Sequence, residues 1–248
     1  MFKKYGGTDT VKAVIVDGRA APLLEKRITS MGIRVIRTVK HPGLYQAIAF
    51  HPDAVICPVG RGKMVVEPVM FEYYKEALSP YKVELLKGTT ELSSNYPLNI
   101  AYNIATVGNK AFMYSRYADN MVLEELKKGN IQPINVKQGY AKCSTAVVGD
   151  NSVITSDPSI YSCALQNGID ALLISPGHIK LEGFEYGFIG GCCGKLSKAV
   201  LAFAGDPSLH PDGNAITEYA GKHSVKIIPL CDGPLMDVGS LIPVVENN

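Results

Sequence analysis

The chain is 248 residues long and 46% hydrophobic, with a mean hydropathy of +0.08, enough to bury a full core and far from a disordered composition. Its 25 Lys and Arg nearly balance 23 Asp and Glu, and no basic block or aromatic-basic interleaving occurs, so nucleic acid is not expected as a partner. No apolar run of about 18 residues occurs, and Met1-Phe-Lys-Lys-Tyr-Gly-Gly lacks the apolar core and cleavage site of a targeting segment; a soluble cytoplasmic protein with no membrane partner is expected.

In chain order, a strand is predicted at Lys12 to Val16, then a helix that opens near Pro22 and ends at Gly32, then a strand at Ile33 to Ile36. A leading strand at Tyr45 to Phe50 and a second strand at Ala54 to Pro58 follow, with a helix from Pro68 and a strand at Tyr81 to Leu86. The third group reads Leu98 to Thr106, Lys110 to Tyr114, a helix ending at Gly129, and Ile131 to Ile134. The clearest group is the fourth: Tyr140 to Val148, a turn at Gly149 to Asn151, Ser152 to Thr155, a helix from Pro158 to Gln166 closed by Gly168, and Ile169 to Ile174. The fifth has Phe188 to Cys193, Ala199 to Ala204, a helix opened by His210-Pro-Asp212 with Asp212 as its cap and ended by Gly221, and Val225 to Ile228. Proline at the first turn and glycine past the last is the asymmetry helices show.

These groups are one unit repeated. With Val14, Val55, Phe112, Val153 and Val200 taken as equivalent, the spacings are 41, 57, 41 and 47 residues, a period with two insertions. The first unit lacks a leading strand, and Met236 to Val244 is a strand without a unit. A ring closed by that carboxy-terminal strand removes two exposed sheet edges. The leading strands are rich in small and polar residues: Asn99, Ala101, Asn103 and Ala105 on one face, and Cys143-Ser144, Gly190-Gly191 and Gly239-Ser240 in the corresponding stretches. Strands converging on one axis leave little room for side chains. The architecture expected is a single domain over residues 1–248, a five-bladed α/β propeller with pseudo-fivefold symmetry.

The six cysteines (Cys57, Cys143, Cys163, Cys192, Cys193, Cys231) show no Cys-x-x-Cys spacing and read as buried free thiols in a reducing compartment. The five histidines (His41, His51, His178, His210, His223) form no pair at helical spacing, so their pattern indicates no metal site and no cofactor.

The repeated strand-helix-strand units and the circular closure resemble the pentein fold of the guanidino-group-modifying enzymes over essentially the whole chain. The ending Asp232-Gly-Pro-Leu-Met-Asp-Val-Gly-Ser-Leu-Ile242 is similar to the terminal strand of dimethylarginine dimethylaminohydrolases, which carries their catalytic cysteine. Gln138-Gly-Tyr-Ala-Lys-Cys143, Gly187-Phe-Ile-Gly-Gly191 and Leu235-Met-Asp-Val-Gly-Ser240 look like an uncharacterised bacterial branch of that superfamily. The departures matter. Asp237-Val238 stands where the resemblance places the cysteine, Ala101-Tyr102-Asn103 stands for a Gly-Gly-Asp segment, and the histidine would fall near Tyr140-Ala141. The superfamily's usual catalytic set is therefore not carried over, and hydrolysis of arginine, agmatine or methylated arginines at an enzymatic rate is not expected.

Asn99, Asn103, Lys142, Cys143 and Asp237 lie on segments that this fold would bring to its hub. A donor amine, a thiol, amides and a carboxylate suit a small cationic or zwitterionic ligand; a satisfied internal polar network is the bland alternative. Cys192-Cys193, between Gly190-Gly191 and Lys195, could present a partly ionised thiol, or be two small core residues. The same stretch fails as a phosphate loop, because Leu196 follows the lysine. Gly60-Arg-Gly-Lys63 reads as a solvated turn, and His178, in the connection reaching Gly187, as part of a gate over the hub or as a surface residue. Lys87 to Tyr96 is the insertion best suited to be a lid.

Two functions follow. In one, the hub is a small-ligand site or a divergent amidino or amine hydrolase, with Cys143 as nucleophile, Asp237 orienting a cation, and Asn103 and Lys142 stabilising charge. It predicts an open pocket. In the other, the chain is a non-catalytic interaction protein, as the resemblance allows, since the translation factor that keeps ribosomal subunits apart is also a pentein. It predicts an occupied hub and an exposed apolar or charged face. The oligomeric state is left open by the sequence.

Overall fold

The computed structural model describes residues 11–60 and 62–246; the amino-terminal Met1 to Gly7 and Arg61 of the Gly60 to Lys63 turn lie outside them. Among these residues the strands form five three-stranded sheets. The first unit has β1 (Val11–Val16), α1 (Ala21–Thr29) and β2 (Arg34–Arg37); the second has α2 (Pro52–Val55), β3 (Ile56–Gly60), β4 (Lys63–Val66), α3 (Phe71–Ala77) and β5 (Glu84–Lys87). The third comprises β6 (Ala105–Val107), β7 (Lys110–Met113), α4 (Asn120–Lys128) and β8 (Gln132–Asn135), and the fourth β9 (Thr145–Gly149), β10 (Ser152–Thr155), α5 (Pro158–Gln166) and β11 (Asp170–Leu173). The fifth contains β12 (Cys193–Ser197), β13 (Val200–Phe203), α6 (Gly213–Lys222) and β14 (Lys226–Pro229), and β15 (Ile242–Val245) ends the chain.

In each unit the middle strand pairs antiparallel with a leading strand and parallel with the strand after the helix. For β1 the leading strand is β15, in the register Val14 to Pro243 and Ile15 to Ile242, so the carboxy-terminal strand closes the ring on the first unit.

The middle strands read as continuous apolar runs because each is buried on both faces. Alternate residues serve different neighbours. Ala13 and Ile15 of β1 enter one core cluster with Val65 and Met113, whereas Val14 and Val16 enter another with Ala202 and Leu241. Likewise Leu201 and Phe203 of β13 pack with Ala146 and Ile154, while Ala202 packs toward β1. The core thus lies between adjacent units and runs round the ring. Period-two alternation survives as a choice of neighbour.

Helix ends follow local chemistry. Asp157 caps α5 by accepting from the Ser159 and Ile160 N–H groups at 2.8 and 2.9 Å, with Pro158 in the first turn. Asp119 caps α4 in the same way. Asp212 sits before α6 but does not cap it; its carboxylate accepts from the Ser175 N–H at 2.7 Å instead. After α4 and α6 the left-handed residues are Asn130 (φ 54°) and Ser224 (φ 58°), not Gly129 and Gly221.

The second unit departs from its expected register. Ala54 to Pro58 is not a middle strand: Pro52–Val55 is one helical turn and Ile56–Gly60 is the leading strand, with β4 as the middle strand. Tyr45 to Phe50 is a turn segment. A short apolar run bounded by a proline suits either element, and the hub decides it. The other leading strands also begin later than their apolar stretches. Residues 99–102, 141–144 and 190–192 are tight turns or a 3-10 turn that precede β6, β9 and β12.

Those turns meet at the pseudo-fivefold axis through a closed ring of hydrogen bonds. The Asp53 N–H donates to Gly239 O, the Ser240 N–H to Gly191 O, the Gly191 N–H to Cys143 O, the Cys143 N–H to Asn103 Oδ1, and Asn103 Nδ2 to Asp53 O, at 2.7–3.2 Å. Each bond joins one unit to the next. In a buried hub such pairing is obligatory, and Asn103 completes the circle because its amide supplies one donor and one acceptor.

Candidate functional site

The ring delivers side chains from several units to one place. Cys143 Sγ donates to Asp53 Oδ2 at 2.9 Å and accepts from Asn103 Nδ2 at 3.3 Å. Ser240 Oγ donates to the same Asp53 oxygen at 2.6 Å. Donor atoms of His51, Cys143 and Asp237 all lie within 4.8 Å of one another. His51 stands at the entry to α2, and Pro52 behind it fixes the turn that aims the ring inward. Its Nδ1 is 3.9 Å from Asp237 Oδ1, and its Nε2 is 3.9 Å from Oδ2 of Asp17, whose carboxylate is held by Arg19.

Asp237 is fixed by two backbone donors, Phe188 N–H at 2.9 Å and Gly239 N–H at 3.0 Å. Glycines make room for it. A Cβ on Gly191 would fall 2.1 Å from Asp237 Oδ1, and one on Gly187 would fall 2.4 Å from Asp237 Cβ. Gly239, at φ +66°, has no space either, since a Cβ would lie 2.2 Å from His51 Cβ. Burial pushes the Asp237 carboxyl above its ordinary range, with His51 opposing. Burial, followed by the Asp53 and Asp237 carboxylates, pushes the Cys143 thiol well above its usual value. The resting thiol is therefore protonated, which matches its donation to Asp53.

Cys143, His51 and Asp237 form the base of a cavity of about 300 Å³. Its walls are aromatic: Tyr45 and Tyr140, whose hydroxyls are 3.2 Å apart, with Phe188, Phe184 and Tyr186. Phe184 and Tyr186 are half exposed and sit on the connection before Phe188, which lines the mouth together with Leu181. That connection, rather than Lys87 to Tyr96, lies over the hub. The latter is tied down where the Asp119 carboxylate accepts from the Thr89 and Thr90 N–H groups at 2.8 and 2.7 Å.

The other expected site residues are placed as follows. Lys142 does not line this cavity; its Nζ donates to Ser240 Oγ at 2.9 Å and Gly190 O at 3.4 Å, and it borders a second cavity of about 180 Å³ with Lys195 and Cys193. Gly190 serves as that carbonyl, and a Cβ there would meet Lys142 O at 2.3 Å. Asn99 is fully buried, and its Nδ2 donates to Ser94 O at 3.3 Å outside the cavity lining. Cys192 is fully buried with Sγ directed at Ile189 O, and burial raises its thiol well above the ordinary value. His178 stands edge-on to His210, with ring centroids 5.6 Å apart, away from the cavity.

Sequence reasoning did not single out His51, Asp53, Ser240 or the aromatic walls. His51-Pro-Asp53 was legible as a proline-fixed turn flanked by two chemical side chains, but in the misregistered unit it fell between two supposed strands. Tyr45 and Phe188, standing in apolar runs, carry no signal that separates a wall from a core residue.

The chain belongs to the family of unknown function DUF6873, whose model matches residues 15–242. No curated protein matches its sequence. In structure it is similar to the inosamine-phosphate amidinotransferase StrB1 from Streptomyces griseus, with a TM-score of 0.57 and 12% identity over 97% of this chain and 95% of that one. It is similar also to SxtG, an amidinotransferase from Microseira wollei in the saxitoxin biosynthetic pathway (TM-score 0.52, 11% identity, 92% and 91% covered), and to the C. jejuni agmatine deiminase (TM-score 0.53, 10% identity, 90% and 88% covered). The fold is the pentein fold.

Proposed function

We propose that the hub cavity binds a small organic cation, a guanidine, amidine or amine, and that Cys143 attacks the central carbon of a guanidine or amidine, which makes the chain a divergent amidino hydrolase. The observation that carries this is the thiol of Cys143 at the base of an aromatic-walled cavity, with His51 and Asp237 within 4.8 Å. Aromatic faces and a carboxylate favour a cation, whereas an apolar guest would leave Asp237 unmatched. A volume near 300 Å³ suits a small molecule, and an open cavity speaks against the occupied hub of an interaction protein. The amidinotransferase and deiminase neighbours support the same ligand class.

Chemically, an arriving cation lowers the thiol's pKa by placing positive charge beside it. The S–H proton passes to the Asp53 carboxylate already hydrogen-bonded to it, and the sulfur lone pair forms a bond to the amidine or guanidine carbon while the carbon–nitrogen π pair moves onto nitrogen, giving a tetrahedral adduct. Asp237 and the aromatic walls hold the remaining charge. His51 is placed to protonate the departing amine and then to take a proton from the water that releases the thiol. Asn103 orients the sulfur, and Lys142 acts through Ser240. Arginine, agmatine and methylated arginines are not expected to turn over at an enzymatic rate, because Asp237-Val238 stands where the resemblance places the terminal cysteine of the enzymes that act on such substrates.

The test is a melting-temperature series in chelator-treated protein with small guanidines, amidines and amines, each beside its neutral urea or amide counterpart. Cations should raise the melting temperature where neutral analogues do not, and any ammonia or amine release should vanish in Cys143→Ser. A series in which no cation outperforms its neutral analogue would remove the reading.

A further inference from the structure

We infer that His51, Cys143 and Asp237 form a site for a divalent transition-metal ion, with Zn²⁺ the best match to the donors. The inference goes beyond the proposed chemistry and does not need it. Among the described residues no other three His, Cys, Asp or Glu side chains bring their donor atoms together in this way. They supply one nitrogen, one sulfur and one oxygen, the borderline-soft mixture that zinc takes and that calcium and magnesium do not. A tetrahedral zinc with bonds of about 2.0–2.3 Å needs donors about 3.3–3.8 Å apart. His51 Nδ1 and Asp237 Oδ1 are already 3.9 Å apart and no two of the three donors are farther apart than 4.8 Å, so the side chains must draw together to close on the ion.

The surroundings fit as well as the donors. With Nδ1 turned to the metal, His51 Nε2 faces Asp17 Oδ2 at 3.9 Å, the carboxylate-backed histidine common around zinc. That Nε2 is buried without a hydrogen-bond partner, and so is Asp53 Oδ1 beside Cys143; unpartnered buried polar atoms call for an occupant or a role. Asp237 is held by two backbone N–H groups and Cys143 by Asn103, so two of the three ligands are positioned in advance. The fourth position opens on the cavity of about 300 Å³, where a water or a ligand would complete the tetrahedron. On binding, the Cys143 S–H bond breaks, its proton leaves by way of Asp53, and the thiolate lone pair forms the metal bond. The sulfur is then no longer free to attack carbon, so the metal-bound chain does not carry out the proposed hydrolysis.

Cobalt is the direct probe, applied to the full chain after chelator treatment. Co²⁺ should bind one per chain, with the near-ultraviolet thiolate charge-transfer band and the strong visible bands of a tetrahedral site, and Zn²⁺ should bleach both. In Cys143→Ser the charge-transfer band should disappear, and in His51→Gln the affinity for Zn²⁺ should fall at least tenfold. Because either variant could disturb the hub, a second measurement uses the unaltered protein: Zn²⁺ should slow iodoacetamide alkylation of Cys143, read by peptide mass, relative to Cys163. A cobalt band that persists in Cys143→Ser, or alkylation of Cys143 indifferent to Zn²⁺, overturns the inference. The organic-cation reading is judged separately by the chelator-treated series, so the failure of one leaves the other standing.

Discussion

The thiol of Cys143 is hydrogen-bonded to the carboxylate of Asp53 at 2.9 Å, across 90 positions of sequence. The contact joins the second unit to the fourth across the axis, and Ser240 of the terminal segment donates to the same oxygen. One carboxylate therefore gathers three units. Cys143→Ser keeps a donor in place and should change stability by less than about 1 kcal/mol. Cys143→Ala removes the bond and should cost about 1–3 kcal/mol. Urea denaturation of both variants checks this, and equal stabilities would show that the contact carries no weight.

The closure of the ring is open to a sharper trial. Val244 is fully buried on β15 and pairs with Ala13 of β1. Val244→Asp should abolish cooperative melting, because an unpaired charge would enter the core between two units. Deleting residues from Met236 onward should do the same by exposing the edge of β1. A sharp melt in both proteins would refute a ring that depends on its last strand.

The fold was legible because every unit carries its own punctuation: an apolar middle strand buried on both faces, then a helix often marked by proline or an aspartate cap. What failed was Ala54-Val-Ile-Cys57, apolar enough for a helix turn or a strand; the preceding Asp53 N–H is tied to Gly239 O, a contact across the sequence that no local pattern shows. Candidate residues at the hub were legible where a polar side chain broke an apolar leading segment, as at Asn103, Cys143 and Asp237. His51 was lost with the misread unit. A constellation drawn from positions 51, 143 and 237 has no local spacing, so a search for ligand pairs along the chain passes over it.

Asp119 should give the acid limb of the stability profile a visible component. Its side chain is fully buried. Burial alone would raise its pKa, but hydrogen bonds from Thr89 and Thr90 together outweigh that and hold the carboxyl below its ordinary value. With the folded pKa depressed, the stabilisation is complete above the unfolded value of about 3.9 and is lost as pH falls through the folded value. Asp119→Asn should flatten the loss below about pH 4; its amide oxygen can still cap α4, but its NH₂ then faces the Thr89 and Thr90 N–H groups, at about 1–3 kcal/mol. Denaturation midpoints from pH 2 to 6 read both effects; parallel profiles for the two proteins would refute the assignment.

The proposed cation site calls for a variant that separates binding from folding, and Asp237→Asn is a poor choice. Both carboxylate oxygens accept a backbone N–H, from Phe188 and Gly239, so an amide must turn its NH₂ toward one donor and leave it unpaired, at about 1–3 kcal/mol. The fold would suffer whatever the ligand does. Phe184 is the better position. It lines the cavity mouth, its ring lies 5.7 Å from Tyr45, and it is 51% exposed. Truncating a half-exposed rim residue costs little core packing, so Phe184→Ala should melt within a few degrees of the unaltered protein. Loss of one aromatic face should weaken an organic cation by about 0.5–2 kcal/mol, a two- to thirty-fold change, while leaving a neutral analogue almost unaffected. Titration calorimetry with a guanidine and its urea counterpart on both proteins makes the comparison. Equal affinities for the cation in the two proteins would show that the aromatic mouth does not contact it, and would move the ligand deeper, to Tyr45, Tyr140 and Phe188.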